Sequence, residues 1–371
     1  MRYYHKTKLI RRTLFFLLVA LVAAALILIG VLVSSARKSN TSTELITLAG
    51  ENISSVAAAD DHLLMVDGVQ MSYIDSDGNV LWAVQLPEAG MKPAGSSMLN
   101  AAYSANHVLV YDKTGRPVLD HVTDFTVVDM ACGSESYALT TWEENQRLVR
   151  VFKLDATEIE QLRFPYETVM DTGFYTSSLS QLWTLSLDSH FTIPVAHLKT
   201  FNHGTSTTGN ISMSNEVAYQ VLPLESEFMT VGTHNLQRWD NSGKSLYSKL
   251  IYGWTVIDMN VDSKGRAQFL LTPSNTSDDE APLSSLWYIR MDSSNTTTEY
   301  RLTLPAGTLW ACLGRDRILA FTPEALHTTT FAGEKYTSAP FDTRIQSVEE
   351  VLSGKMVVLR TVNGWKLYLI S

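Results

Sequence analysis

The sequence predicts an all-β protein: a β-propeller of seven or eight blades, eight preferred, behind one N-terminal transmembrane helix. Three observations lead there. An unbroken apolar run of 20 residues, Leu14 to Val33, stands near the start of the 371-residue chain. Beyond it the apolar residues come in short runs broken by turn residues, and none repeats at i, i+3, i+4, i+7 over three turns. Two unrelated markers then recur at one period near 43 residues. A four-stranded propeller blade takes about 40–45 residues.

Residues 1–13 form a basic head with Arg2, Lys6, Lys8, Arg11 and Arg12 and no acidic residue. Residues 14–33 follow as the membrane span. At about 1.5 Å rise per residue, 20 residues cover about 30 Å, the hydrocarbon thickness of a bilayer. Backbone amides in lipid must pair within the segment, so the run is expected to be helical. The basic head keeps the N-terminus cytoplasmic by the positive-inside rule, which places the C-terminal body outside the cell membrane. Ser34-Ser35-Ala36 resembles a signal-peptide cleavage site. The apolar run is longer than a signal h-region of about 7–15 residues, so a retained anchor is preferred over cleavage.

Residues 34–43 (SSARKSNTST) lack a large apolar side chain and read as a polar stem. Of the 29 basic residues, seven precede residue 39, leaving 22 against 38 acidic ones in the remainder. Such an acidic body repels phosphate backbones, so no nucleic-acid partner is expected.

Residues 44–371 are read as the extracytoplasmic propeller. Its first marker is Asp-x-x-Gly, at Asp75–Gly78, Asp112–Gly115, Asp240–Gly243 and Asp262–Gly265. The Asp side chain bonds turn amides and the Gly supplies positive φ, so each reads as a hairpin tip. The second marker is Val-x-Asp, at Val127-Val128-Asp129, Val169-Met170-Asp171 and Val256-Ile257-Asp258. Its steps are 42 and 87, one and two blades. The stretch from Ile345 to Ser371 offers about three strands, and Leu45–Leu48 is a lone strand without a near partner. The second is expected to complete the first and so close the ring, which removes an open sheet edge.

Met71 to Pro87, MSYIDSDGNVLWAVQLP, resembles the blade repeat of quinoprotein-like propellers, in which a strand, a turn ending in Gly and a Trp close each blade. The layout of basic head, single anchor and exported repeat body resembles uncharacterised single-pass propeller-like proteins of Gram-positive bacteria. That resemblance implies a fold and a membrane location. It implies no reaction.

No catalytic constellation emerges. Val169-Met170-Asp171-Thr172-Gly173 has the look of an aspartic-protease loop, but that chemistry needs a second Asp-Thr/Ser-Gly, and the chain has none. Asp75-Ser76-Asp77 fits a glycosyltransferase metal motif only within an α/β layer, which the pattern lacks. As a calcium loop it has Val80 where Gly belongs and Leu86 where the bidentate Glu belongs. The nine His show no ligand spacing. The quinoprotein resemblance raises a redox cofactor, but its vicinal Cys pair is missing: Cys132 and Cys312 are 180 residues apart. They are expected as two buried free thiols on blades about four apart, too far for a disulfide. No catalytic, cofactor or metal residue is assigned. The expected function is a non-enzymatic interaction or sensing module, with the bilayer as partner through Leu14 to Val33 and a protein or glycan on the propeller face. The alternative is an exported glycan-active or quinone-type enzyme using Asp129, Asp171 and Asp258 near the central channel. Two polar loops, 203–209 and 274–282, are the expected partner contacts.

Overall fold

Strands pair strictly antiparallel into eight sheets of four. They span 53–85, 92–122, 126–162, 167–214, 218–250, 254–303, 310–340 and 345–369, the last completed by Leu45–Thr47. The computed structural model describes residues 45–48, 50, 52–175, 180–190, 192–202, 207–225, 227–274, 281–352 and 356–370. The expected head, membrane span and stem lie outside the described residues. Among the described residues no helix is long and apolar enough to cross a membrane. From Leu45 onward the chain is one compact unit.

First strands of consecutive sheets pack side by side, blade five joins blade six where the Val256 N–H donates to the Tyr219 hydroxyl at 3.3 Å, and the first strand of blade one meets that of blade eight. The ring therefore closes, and the protein is an eight-bladed β-propeller. Leu45–Thr47 pairs with the last strand, Gly364–Leu369, in the register Leu45↔Tyr368, Ile46↔Leu367, Thr47↔Lys366. The expected closure holds.

The apolar core is divided into eight clusters, one at each interface between consecutive blades. The strand Ser136–Glu143 shows how a pleat feeds two of them. Tyr137 and Leu139 pack toward blade two, and Ala138, on the opposite face, toward blade four. Sheets buried on both faces need apolar residues at successive positions, which is why the strands read as runs rather than alternation.

The Asp-x-x-Gly tips stitch one blade to the next. In blade two, Asp112 Oδ1 accepts the N–H groups of Thr114 (2.8 Å) and Arg116 (3.0 Å), and Gly115 N–H donates to the Asp112 carbonyl (3.0 Å). Gly115 has φ +79°, and a Cβ there would stand 2.8 Å from the Trp82 ring of blade one. The Trp82 Nε1–H donates to the Lys113 carbonyl at 2.9 Å. One indole thus seats on the turn of the following blade. Asp75 and Asp240 cap equivalent turns between third and fourth strands. Asp262–Gly265 has the same chemistry but joins the first and second strands of blade six. It is a hairpin tip outside that repeat position. Asp292–Asn295 is a further outer tip that the Gly pattern misses, since Asn295 takes the left-handed φ of +62°.

The Val-x-Asp marker is a β-bulge. Register breaks between Val127 and Asp129, Val169 and Asp171, and Val256 and Asp258 leave Val128, Met170 and Ile257 without a cross-strand partner. The Val before each bulge is buried between blades. The extra residue lets the strand turn the following Asp out of the pleat.

Candidate functional site

The three marker aspartates stand on the innermost strands of blades three, four and six. Asp129 Oδ1 accepts the Tyr103 hydroxyl (3.0 Å) and the Met130 N–H (2.8 Å). Asp171 Oδ1 accepts the Thr172 N–H at 2.7 Å, and its carboxyl is shifted upward by burial and by the nearby charge of Asp129. Asp258 Oδ2 accepts the Leu313 N–H of blade seven at 2.6 Å. Burial pushes its carboxyl up to about 6. Asp258 borders a cavity of about 390 Å³ shared with Trp310, Cys312 and Glu349. The protease-like Gly173 has a packing role: a Cβ there would lie 2.5 Å from the Trp183 ring. Asp75 is fully engaged by its own turn, holding the N–H groups of Asp77 and Asn79 and the Asn79 amide.

Cys132 and Cys312 are free and buried, on the inner strands of blades three and seven. Burial raises the Cys132 thiol to about 12 and also raises that of Cys312, where the Asp258 charge adds to the effect. Neither supplies a thiolate nucleophile. Among the described residues no three His, Cys, Asp or Glu gather as metal ligands would.

The loops offer more. With four antiparallel strands per blade, the links between blades and the loops joining second to third strands share one face. The four most exposed large apolar side chains among the described residues all lie there: Tyr166 (72%), Tyr252 (70%), Val122 (68%) and Leu250 (65%). Each sits where an outer strand hands over to the next blade. The chain enters the ring at Leu45 from the opposite face. The two loops expected to bear partner contacts fall largely outside the described residues. Residues 275–280 lie outside the described residues. Residues 203–206 also lie outside them, and the rest of that segment is not loop: Thr207–Ser214 is the outer strand of blade four.

On the apolar face, blades three and four bound a cleft of about 430 Å³. Phe164 is its buried floor, Trp142 and the hairpin residues Asn145 and Gln146 line one side, and Tyr166 and His190 the other. Tyr166 belongs to a turn closed by Glu167 N–H to the Phe164 carbonyl at 3.2 Å, with Pro165 second and Tyr166 third at φ +111°. This is the geometry of a type II turn, whose third position favours glycine. The corresponding turn between blades five and six, Ile251-Tyr252-Gly253-Trp254, has glycine there at φ +81°. His190 fixes the strained residue, its Nδ1 bonding the Tyr166 carbonyl at 2.9 Å and its ring meeting the tyrosine edge-on at 5.2 Å. A bulky residue held at positive φ costs of order 1–3 kcal/mol. Tyr166→Gly is therefore expected to raise stability by about 1 kcal/mol in a urea titration, part of the gain being offset by glycine's freedom in the unfolded chain.

Sequence reading missed this cleft. Its residues come from three separate segments, and a Pro-Tyr pair carries no mark of positive φ.

No family model and no curated protein matches the chain. Solved structures similar to it are propellers. The WD40 domain of SCAP from fission yeast has a TM-score of 0.60 at 10% identity, covering 88% of this chain and 95% of that one. The C-terminal WD40 domain of Sif2 has 0.57 at 7% identity, covering 89% and 98%. BamB from Moraxella catarrhalis has 0.54 at 8% identity, covering 88% and 96%. At such identities the likeness is one of fold.

Proposed function

We propose that the protein is a membrane-anchored, extracytoplasmic propeller that recognises another protein through its apolar loop face and performs no chemistry on it. The carrying observation is that the four most exposed large apolar side chains among the described residues share that face. Exposed apolar and aromatic side chains gathered on one side of a soluble domain mark interaction surfaces. The WD40 propellers it resembles in fold are typically protein-interaction modules, which supports the same use here. The membrane part of the reading rests on the Leu14 to Val33 run and the basic residues ahead of it.

The test uses the full chain in its own membrane, with a photo-crosslinking amino acid in place of Tyr252. A discrete crosslinked protein is expected, and Leu250→Asp should abolish it without lowering the melting temperature, because Leu250 is two-thirds exposed. Protease added outside intact cells should digest the body. A crosslink insensitive to Leu250→Asp, or none at all, overturns the interaction reading. A protected body overturns the topology.

A further inference from the structure

We propose that the cleft between blades three and four is an oligosaccharide-binding site. It lies on the recognition face and rests on the preceding reading for its place alone.

Two aromatic side chains border the cleft and stay open to solvent, Trp142 (48% exposed) and Tyr166 (72%). Between them the wall is polar: the side chains of Asn145, Gln146 and Ser189 make no hydrogen bond to another described residue. The wall's carboxylate, Glu167, is already matched by Lys199 Nζ at 2.6 Å, and Arg147 gives one guanidinium N–H to the Val169 carbonyl at 2.9 Å. What remains is a pair of apolar ring faces beside the remaining guanidinium N–H groups of Arg147 and beside amides and the Thr168 and Ser189 hydroxyls, which both donate and accept. A sugar ring is the complement of that wall. Its C–H face is apolar and stacks on an aromatic ring, and each of its hydroxyls donates and accepts. A proline-rich peptide also packs on aromatic rings, but its imide nitrogens have no hydrogen to give. It would leave the Asn145 and Gln146 carbonyl oxygens unmatched. A volume of about 430 Å³ falls within the range of small-ligand sites, about 300–1,000 Å³.

Backbone strain points to the same place independently. Tyr166, a bulky residue held at φ +111°, borders this cleft, whereas positive φ at Asn145 is what its two-residue hairpin requires. Such outliers collect at ligand clamps, where the surrounding structure holds them for a purpose other than stability.

The test titrates the full chain, held in a detergent without a sugar headgroup, with cellotetraose, maltotetraose, chitotetraose, mannotetraose and tetragalacturonate. Decaproline is the peptide arm. Tryptophan emission and calorimetry report binding. At least one tetrasaccharide is expected to bind, with Trp142→Ala weakening it about tenfold, the loss of one stacking face. Tyr166→Gly should weaken it several-fold while the protein melts no lower. Binding by none of the sugars, or binding unaffected by Trp142→Ala, overturns the proposal. So does Trp142-dependent binding of decaproline alone, which would make the cleft a peptide groove. The Tyr252 crosslink is read in parallel, in the chain's own membrane. Its persistence in a sugar-negative protein rejects the ligand class and leaves the interaction face standing.

Discussion

Replacing Leu45–Leu48 with Gly-Ser-Gly-Ser is expected to lower the unfolding free energy by about 5 kcal/mol and to make the protein aggregate. Five contributions are lost together. The ladder from Leu45 to Thr47 no longer covers the Gly364–Leu369 strand. The Leu48 N–H bond to the Trp365 carbonyl, 3.1 Å, goes with it, as does the Lys366 Nζ bond to Thr47 Oγ1, 2.6 Å. Leu48, 5% exposed, leaves the cluster joining blades eight and one. Ile46 leaves the place where it abuts the Gly78 tip of blade one. A buried leucine is worth about 2–3 kcal/mol and each net hydrogen bond about 1 kcal/mol, against a total of about 5–15 kcal/mol for a whole domain. The exposed strand edge is also a template for pairing with another copy. Urea titration of the full chain with light scattering reads both effects. Leu48→Ala alone should cost about 2–3 kcal/mol. If the replaced chain unfolds at the original midpoint, packing between blades one and eight closes the ring without the strand.

That closing strand was legible in the sequence for a simple reason. Counting strands per period leaves one blade short at the C-terminus and one strand spare at the N-terminus. The Asp-x-x-Gly tips and Val-x-Asp bulges were legible for a related reason: each is a local backbone device that needs particular residue types at fixed spacing. The free thiols followed from the same period, since Cys132 and Cys312 fall four blades apart. The recognition face was not legible. Tyr166, Tyr252, Val122 and Leu250 look like any other apolar residues of the strand ends, and only strand direction shows that they share a side. The cleft was hidden further, because a hairpin, a turn and a loop on two blades must meet before Trp142 and Tyr166 have a space between them. Asp292–Asn295 marks the boundary between the two cases. Its Asp cap was readable, but Asn in the place of Gly hid the turn.

Asp258→Asn is expected to stabilise the protein at pH 7.5 by up to about 3 kcal/mol and to flatten its stability between pH 4 and pH 7. Water reaches part of this side chain, yet most of what surrounds it is protein, and burial raises its carboxyl to about 6. An unfolded aspartate titrates near 3.9. Between those values the folded state holds a proton that the unfolded state has released, so stability falls as pH rises from about 4 to 6 and levels off above about 7. The fall is about two units of pKa, and each is worth about 1.4 kcal/mol. Asn keeps an oxygen able to accept the Leu313 N–H, now at 2.6 Å, while removing the charge whose burial is unfavourable. Comparing urea midpoints of the two proteins across this pH range isolates the Asp258 contribution, because the other titrating groups are common to both. A parallel pair of pH profiles would show that Asp258 titrates like an exposed carboxylate and that the cavity beside Cys312 is wet. A large gain for the variant would mark Asp258 as a charge held at a cost to stability.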